Sequence, residues 1–164
     1  MRLIKRLINV LTALIIIIGG IFVILYFCGI VPYIVLSGSM EPSIETGSLC
    51  FVNIHSDFSQ LKEKEVIAFR LNNGTLVTHR IVEVHDSYVK TKGDNNKNID
   101  GTDITPNNYV GKNIFWIPKV GYVVKGFQSF RGKIVLASCI ILLFISGMLF
   151  GEDKKNKRKE IKEI

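Results

Sequence analysis

Cysteine is scarce in this chain, and its placement excludes two kinds of small fold at once. Of three cysteines, Cys28 and Cys139 lie in long uncharged runs, and only Cys50 falls between them. One thiol cannot build a disulfide framework, and no paired spacing offers a zinc site. Cys50 is therefore expected to fill a core position. Histidine is equally sparse, limited to His55, His79 and His85, so any reaction needing an imidazole has three candidates. Internal repeats are absent, which excludes solenoids and propellers. Low-complexity sequence is confined to the charged C-terminal tail.

Charge is missing altogether from two stretches. Leu7 to Val31 carries none over 25 residues, and a second uncharged run extends from Ile134 to Gly151 between Lys133 and Glu152. About 20 helical residues cross a hydrocarbon core about 30 Å thick, so the first run is long enough and the second is near the lower limit. The formal charge of +7 sits beside these runs. Between Pro32 and Phe130 ten Lys and Arg balance ten Asp and Glu, whereas Glu152 to Ile164 holds six basic residues against four acidic ones. A nucleic-acid groove needs its charge on the folded domain, so no nucleic-acid partner is expected. Basic residues flanking apolar spans mark the cytoplasmic side. The expected order is a cytoplasmic N-terminus (1–6), a transmembrane helix (7–31), an extracytoplasmic domain (32–133), a second transmembrane helix (134–151) and a basic cytoplasmic tail (152–164). A basic start before an apolar run also begins cleavable signal peptides. Here the run exceeds the usual apolar length and no small-x-small site follows it cleanly, so it reads as an anchor.

The central region reads as short strands between turn signals. Leu49–Ile54, Val66–Leu71, Thr75–Val84, Tyr88–Lys92 and Ile114–Ile117 are the strand candidates, with Asn72-Asn73-Gly74 turning the second into the third. A helical turn is expected around Ser59–Lys64. In the third strand, period-two alternation puts His79 on one face with Val77 and Ile81. The expected fold class is mainly β, a compact barrel or sandwich flanked by two transmembrane helices.

Three segments carry residues able to do chemistry. In Ser37-Gly38-Ser39-Met40-Glu41-Pro42, Gly38 frees the backbone between two serines and Pro42 biases Glu41 toward an extended conformation. Such a bend projects one hydroxyl and leaves its N–H free, which is half of an oxyanion hole. The plain alternative is a polar turn where the chain leaves a bilayer. Serine also needs a base. His55 and His85 sit at strand ends, His79 is mid-strand, and Arg80 cannot deprotonate. The loop Lys92-Gly93-Asp94-Asn95-Asn96-Lys97-Asn98-Ile99-Asp100 offers Asp94 and Asp100 to orient an imidazole, with Asp103 just beyond. Alternatively it is a surface turn; it lacks the Glu that closes an EF-hand, and neither a metal nor another cofactor is expected.

In this order, Ser37-Gly38-Ser39-Met40-Glu41-Pro42, Thr78-His79-Arg80-Ile81-Val82 and Lys92-Gly93-Asp94-Asn95-Asn96 strongly resemble type I signal peptidase. The resemblance is to the endoplasmic-reticulum type, in which a histidine stands where most bacterial enzymes have a catalytic lysine. Gly111 to Tyr122 also looks familial. The resemblance implies Ser39 as nucleophile, His79 as general base and Asp100 as third member of the triad. Ser37 and the Ser39 N–H are then oxyanion donors, and Asp94 supports the loop. The sequence departs from the family pattern at Ser48 and Glu65, where Asp is frequent, and at Ile99, where a second acid is usual.

The implied activity is a membrane-bound serine endopeptidase (a hydrolase) that removes signal peptides from exported pre-proteins after small residues. Its implied partners are those pre-proteins and membrane lipid. Ser39 lies eight residues past Val31, which holds it within about 28 Å of the end of the apolar run. The competing readings are a catalytically inactive membrane-anchored binding module and an accessory subunit of a secretion complex. The first needs a broken triad, and none of its members is missing. The second predicts polar side chains within the spans, which contain only Ser, Thr, Asn and Gly besides apolar residues.

Overall fold

The computed structural model describes residues 2–130, 132–134, 136–138 and 140–141. Its secondary structure begins with helix α1, Arg2–Phe27, dominated by Leu, Ile, Val and Phe and free of charge after three early basic residues. Within it, the 22-residue span Arg6–Phe27 has a mean hydropathy of 2.9 over an 18-residue window, and this is the one helix among the described residues long and apolar enough to cross a membrane. At 1.5 Å per residue it would span about 33 Å. The helix stops at Phe27, four residues before the apolar run ends. Gly29 adopts a positive φ of 73°, and a Cβ there would strike the His55 ring. Ile30 and Val31 instead enter a strand, where their branched side chains fit.

The residues between form one six-stranded antiparallel sheet, ordered β1-β2-β6-β3-β4-β5. Its strands are β1 Ile30–Ile34, β2 Leu49–Asn53, β3 Val66–Arg70, β4 Leu76–Val84, β5 Val89–Lys92 and β6 Tyr109–Ile117. Strands β2 to β5 match the sequence expectation within a residue at either end. β1 was hidden inside the uncharged run, and β6 begins five residues earlier than its apolar residues suggested. The β3–β4 hairpin turns through Asn72-Asn73-Gly74, with Gly74 at φ 81°. The expected helical turn is a short 3-10 segment, Phe58–Gln60, whose cap Asp57 accepts the Ser59 N–H. Helix α2, Val120–Gln128, was not anticipated.

Two clusters make the core of this part. Leu61, Ile67, Phe69, Ile81, Val89 and Ile104 form one, and Met40, Ile44, Cys50 and Val66 the other. The thiol of Cys50 is fully buried, which pushes its pKa up to about 11. It is a core residue and stays protonated at neutral pH. The second half of β6 loses the usual alternation, leaving Ile114, Phe115, Trp116 and Ile117 all exposed.

Val23–Lys125 is one compact unit, and residues 2–22 belong to another. The expected second span, 134–151, is helical where described, at 134, 136–138, 140 and 141. The rest of that span, and the tail 152–164, lie outside the described residues.

Gly111 tests the register of β6. A Cβ built there comes within 2.4 Å of the Asn53 carbonyl oxygen on β2 and 2.8 Å of Val52 Cγ1. Backbone cannot move aside as a side-chain tip can, so overpacking of about 1–3 kcal/mol is expected. Gly111→Ala should lower Tm by at least about 4 °C in detergent, and an unchanged Tm would contradict this register.

Candidate active site

The candidate nucleophile lies in the excursion that joins β1 to β2. The hairpin continues past the strands through Val35 N–H to the Ser48 carbonyl (2.9 Å) and Gly47 N–H to the Val35 carbonyl (2.9 Å). Residues 36–46 therefore leave and return at nearly one point. Met40 and Ile44, both buried, hold this loop against Cys50 and Val66. Glu41 closes it, its carboxylate accepting from the Thr46 hydroxyl (2.8 Å) and N–H (3.2 Å), and these bonds lower its pKa. The Glu41–Pro42 peptide is cis.

With Met40 turned inward, the Ser39 hydroxyl lies 3.0 Å from Nε2 of His79. His79 sits on β4 and is only 7% exposed. Alternation gives it the same face as Ile81, opposite to Arg80, and the Phe69 ring stands edge-on to it at 6.1 Å. Its other nitrogen, Nδ1, is 2.6 Å from Oδ2 of Asp100. A carboxylate can only accept, so Nδ1 carries the proton and Nε2 presents a lone pair to the serine hydroxyl.

Asp100 is positioned by β5. Its N–H donates to the Thr91 carbonyl (2.8 Å), and the buried Thr91 hydroxyl donates to the same Oδ2 (2.7 Å). Ile81 and Thr91 are cross-strand partners, so Thr91 shares the His79 face. Sequence reasoning missed Thr91, although it stands within the Lys-Thr-Lys-Gly-Asp segment and points inward by simple alternation.

Asp94 lies in the same loop but serves the opposite face. It takes two bonds from Arg80, Nε to Oδ1 at 2.8 Å and Nη2 to Oδ2 at 2.7 Å. The paired guanidinium and a Ser43 hydrogen bond hold its carboxyl below the usual carboxylate range, against a smaller desolvation effect, and the same pairing raises Arg80. Arg80 also donates to the Lys64 carbonyl (2.8 Å).

The Ser37 hydroxyl is exposed and lies 3.4 Å from that of Ser39. Among the described residues, no acceptor takes the Ser39 N–H. The remaining chemistry-bearing residues lie elsewhere. His85 stacks on Tyr88 at 4.4 Å and contacts Glu83. His55 follows β2, and exposed Asp103 lends only its carbonyl to Asn108. Among the described residues, no group of three His, Cys, Asp or Glu side chains could hold a metal ion.

The lowered pKa of Asp94 has a pH consequence with a definite sign. An unfolded Asp titrates near 3.9, and the folded one titrates lower. Its stabilisation is therefore present above about pH 4 and disappears as pH falls through the folded value. Asp94→Asn should lower Tm at neutral pH and flatten the decline of Tm between about pH 4 and 2. A deficit in Tm that stays constant across that range would contradict the ion pair.

Comparison with known proteins adds to this geometry. Signal peptidase I W of Bacillus subtilis (strain 168) is 44% identical over 78 residues, covering 45% of this chain and 41% of the relative. The signal peptidase complex catalytic subunit of Neurospora crassa is 32% identical over 102 residues, covering 55% of this chain and 59% of the relative. That of Candida dubliniensis is 30% identical over 123 residues, covering 71% and 70%. This chain thus spans less than two thirds of the first two relatives and somewhat more of the third. The sequence profile described as "Signal peptidase, peptidase S26" matches residues 4–114, from inside α1 to β6, and the chain belongs to that family.

Proposed function

We propose that this protein is a membrane-bound serine endopeptidase that removes signal peptides from exported pre-proteins. The observation that carries this is the continuous relay from Ser39 Oγ to His79 Nε2 (3.0 Å) and from His79 Nδ1 to Asp100 Oδ2 (2.6 Å), in a chain of the S26 family. In the reaction, Ser39 Oγ attacks the scissile carbonyl carbon while its proton passes to Nε2. The oxyanion that forms is held by the Ser39 N–H and the Ser37 hydroxyl. Collapse of the tetrahedral intermediate breaks the C–N bond, and the imidazolium returns its proton to the leaving amine. Water then attacks the acyl-enzyme by the same route in reverse, giving up its proton through His79. Asp100 stabilises the imidazolium, Thr91 orients Asp100, and Asp94 supports the loop through Arg80. No observation favours an inactive subunit, since each group the reaction needs is within bonding reach of the next.

The topology belongs to the same proposal. α1 crosses the membrane, the six-stranded sheet lies outside the cytoplasm as a compact, sandwich-like domain, and a second helix over 134–151 returns the chain. Both termini are then cytoplasmic. The exposed run Ile114–Ile117, with Trp116 suited to a membrane–water boundary, supports a domain held against lipid. Substrates are pre-proteins already inserted in that membrane, cut where the cleavage site emerges.

Two measurements test these statements. Ser39→Ala should abolish cleavage of a model pre-protein with Tm unchanged. Asp100→Asn should reduce turnover by about 10⁴-fold, while Asp94→Asn loses activity only in proportion to its folded fraction. A stable, inactive Asp94→Asn beside an active Asp100→Asn would exchange the two roles. For topology, protease added to sealed right-side-out vesicles should cut tags between residues 32 and 133 and spare both ends. Cutting within the C-terminal tail would reverse the orientation.

A further inference from the structure

The loop after β5 touches the nucleophile loop through one residue in particular. The Asn95 N–H donates to the Ser39 carbonyl at 2.9 Å, and its side-chain Nδ2 donates to the Gly38 carbonyl at 3.2 Å. The Gly38 carbonyl also accepts the Glu41 N–H at 3.1 Å. Two successive carbonyls next to the reactive hydroxyl are thus held by a single asparagine from a distant segment. A trans peptide is planar, with its C=O and the following N–H pointing in opposite directions. Holding the Gly38 carbonyl fixes the direction of the Ser39 N–H, and holding the Ser39 carbonyl does the same for Met40 N–H. Neither N–H has an acceptor among the described residues.

We infer that Asn95 is a positioning residue for the oxyanion donor: it grips the carbonyl side of the 38–39 peptide so that the Ser39 N–H is aimed before substrate arrives. The inference deepens the peptidase reading and rests on it. Donors aimed at developing charge help most when they need no reorganisation during reaction, and at Gly38, which lacks a Cβ, the Asn95 bond adds to that from the Glu41 N–H in restraining this peptide.

The same loop links the donor to the base. Gly93 lets the backbone approach, since a Cβ there would lie 2.6 Å from the Ser39 carbonyl oxygen. Asp94 is gripped by Arg80, the residue after His79. Arg80 and Asn95 thus tie this loop to β4 on one side and to residues 38–39 on the other. A turn-closing asparagine with no further role would need no contact with Gly38 at all.

Asn95→Asp separates the two possibilities. It keeps the shape and the backbone N–H but faces the Gly38 carbonyl with an acceptor in place of a donor. Asn95→Ala provides a second variant should the first fold poorly. Each should lower kcat by about 10-fold to 10²-fold, below the 10²–10³ for outright removal of a donor, with KM within about twofold. A peptide aldehyde ending in alanine forms an oxyanion on Ser39, and its affinity should fall in parallel with kcat/KM. The matched reduced-amide peptide has no carbonyl oxygen at the scissile position, and its affinity should be unchanged. An unaltered kcat, or equal weakening of both inhibitors, would overturn the positioning role. Wild-type protein that cleaves nothing, or Ser39→Ala that still cleaves, would instead overturn the peptidase reading itself.

Discussion

His79 is an imidazole buried on the inner face of a strand, and burial obliges both of its ring nitrogens to find partners, because an unsatisfied buried polar group costs about 1–3 kcal/mol. β4 cannot supply them. Its own neighbours on that face, Val77 and Ile81, are apolar, and the Thr91 hydroxyl across the sheet is engaged with Asp100, so the partners come from loops at either side. One arrives from the β1–β2 excursion as Ser39, the other from beyond β5 as Asp100. In the proposed reaction, stability and reactivity draw on the same two bonds. The arrangement that satisfies the imidazole also leaves Nε2 as an acceptor beside a hydroxyl.

Strand alternation sorts the two aspartates of one short loop. His79 and Arg80 are successive residues and therefore point to opposite faces. Asp100, paired to Thr91, stands on the His79 face, while Asp94 stands with Arg80. An aspartate already engaged by two guanidinium bonds is poorly suited to receive the imidazole proton donor as well. Asp100 is bound by a neutral hydroxyl and the ring, which leaves its charge available to the imidazolium. The difference between the two acids comes from the parity of two positions on β4.

The nucleophile loop is held at several independent points. Met40 and Ile44 bind it to the core, Glu41 bridges to Thr46, and Asn95 takes the carbonyls of Gly38 and Ser39. Such anchoring is what a loop carrying Ser37-Gly38-Ser39 requires to hold one hydroxyl in place, since Gly38 itself supplies little stiffness. Cys50, immediately beneath, is kept as a neutral thiol by burial and adds packing without a second nucleophile.

Much of this was legible in the chain before any coordinates. Uncharged length marked α1, alternation marked β2 to β5, and Asn72-Asn73-Gly74 marked the hairpin, because these signals depend only on residues near in sequence. Three separated motifs, through their resemblance to a family, pointed to Ser39, His79 and Asp100. β1 was not legible, because Ile30 and Val31 are as apolar as the helix before them and only pairing with β2 makes them a strand. The early part of β6 escaped notice for a similar reason: its Gly, Lys and Asn residues are strand only by virtue of neighbours on both sides. Thr91 and Asn95 belong to the same class, since their partners lie far along the chain or across a turn. Local patterning marked α1 and strands β2 to β5, and the motifs with their family resemblance marked the candidate site residues. Only the tertiary structure decided which carbonyl, hydroxyl and carboxylate meet, because hydrogen-bond partners are selected by distance in space, and sequence spacing does not encode it.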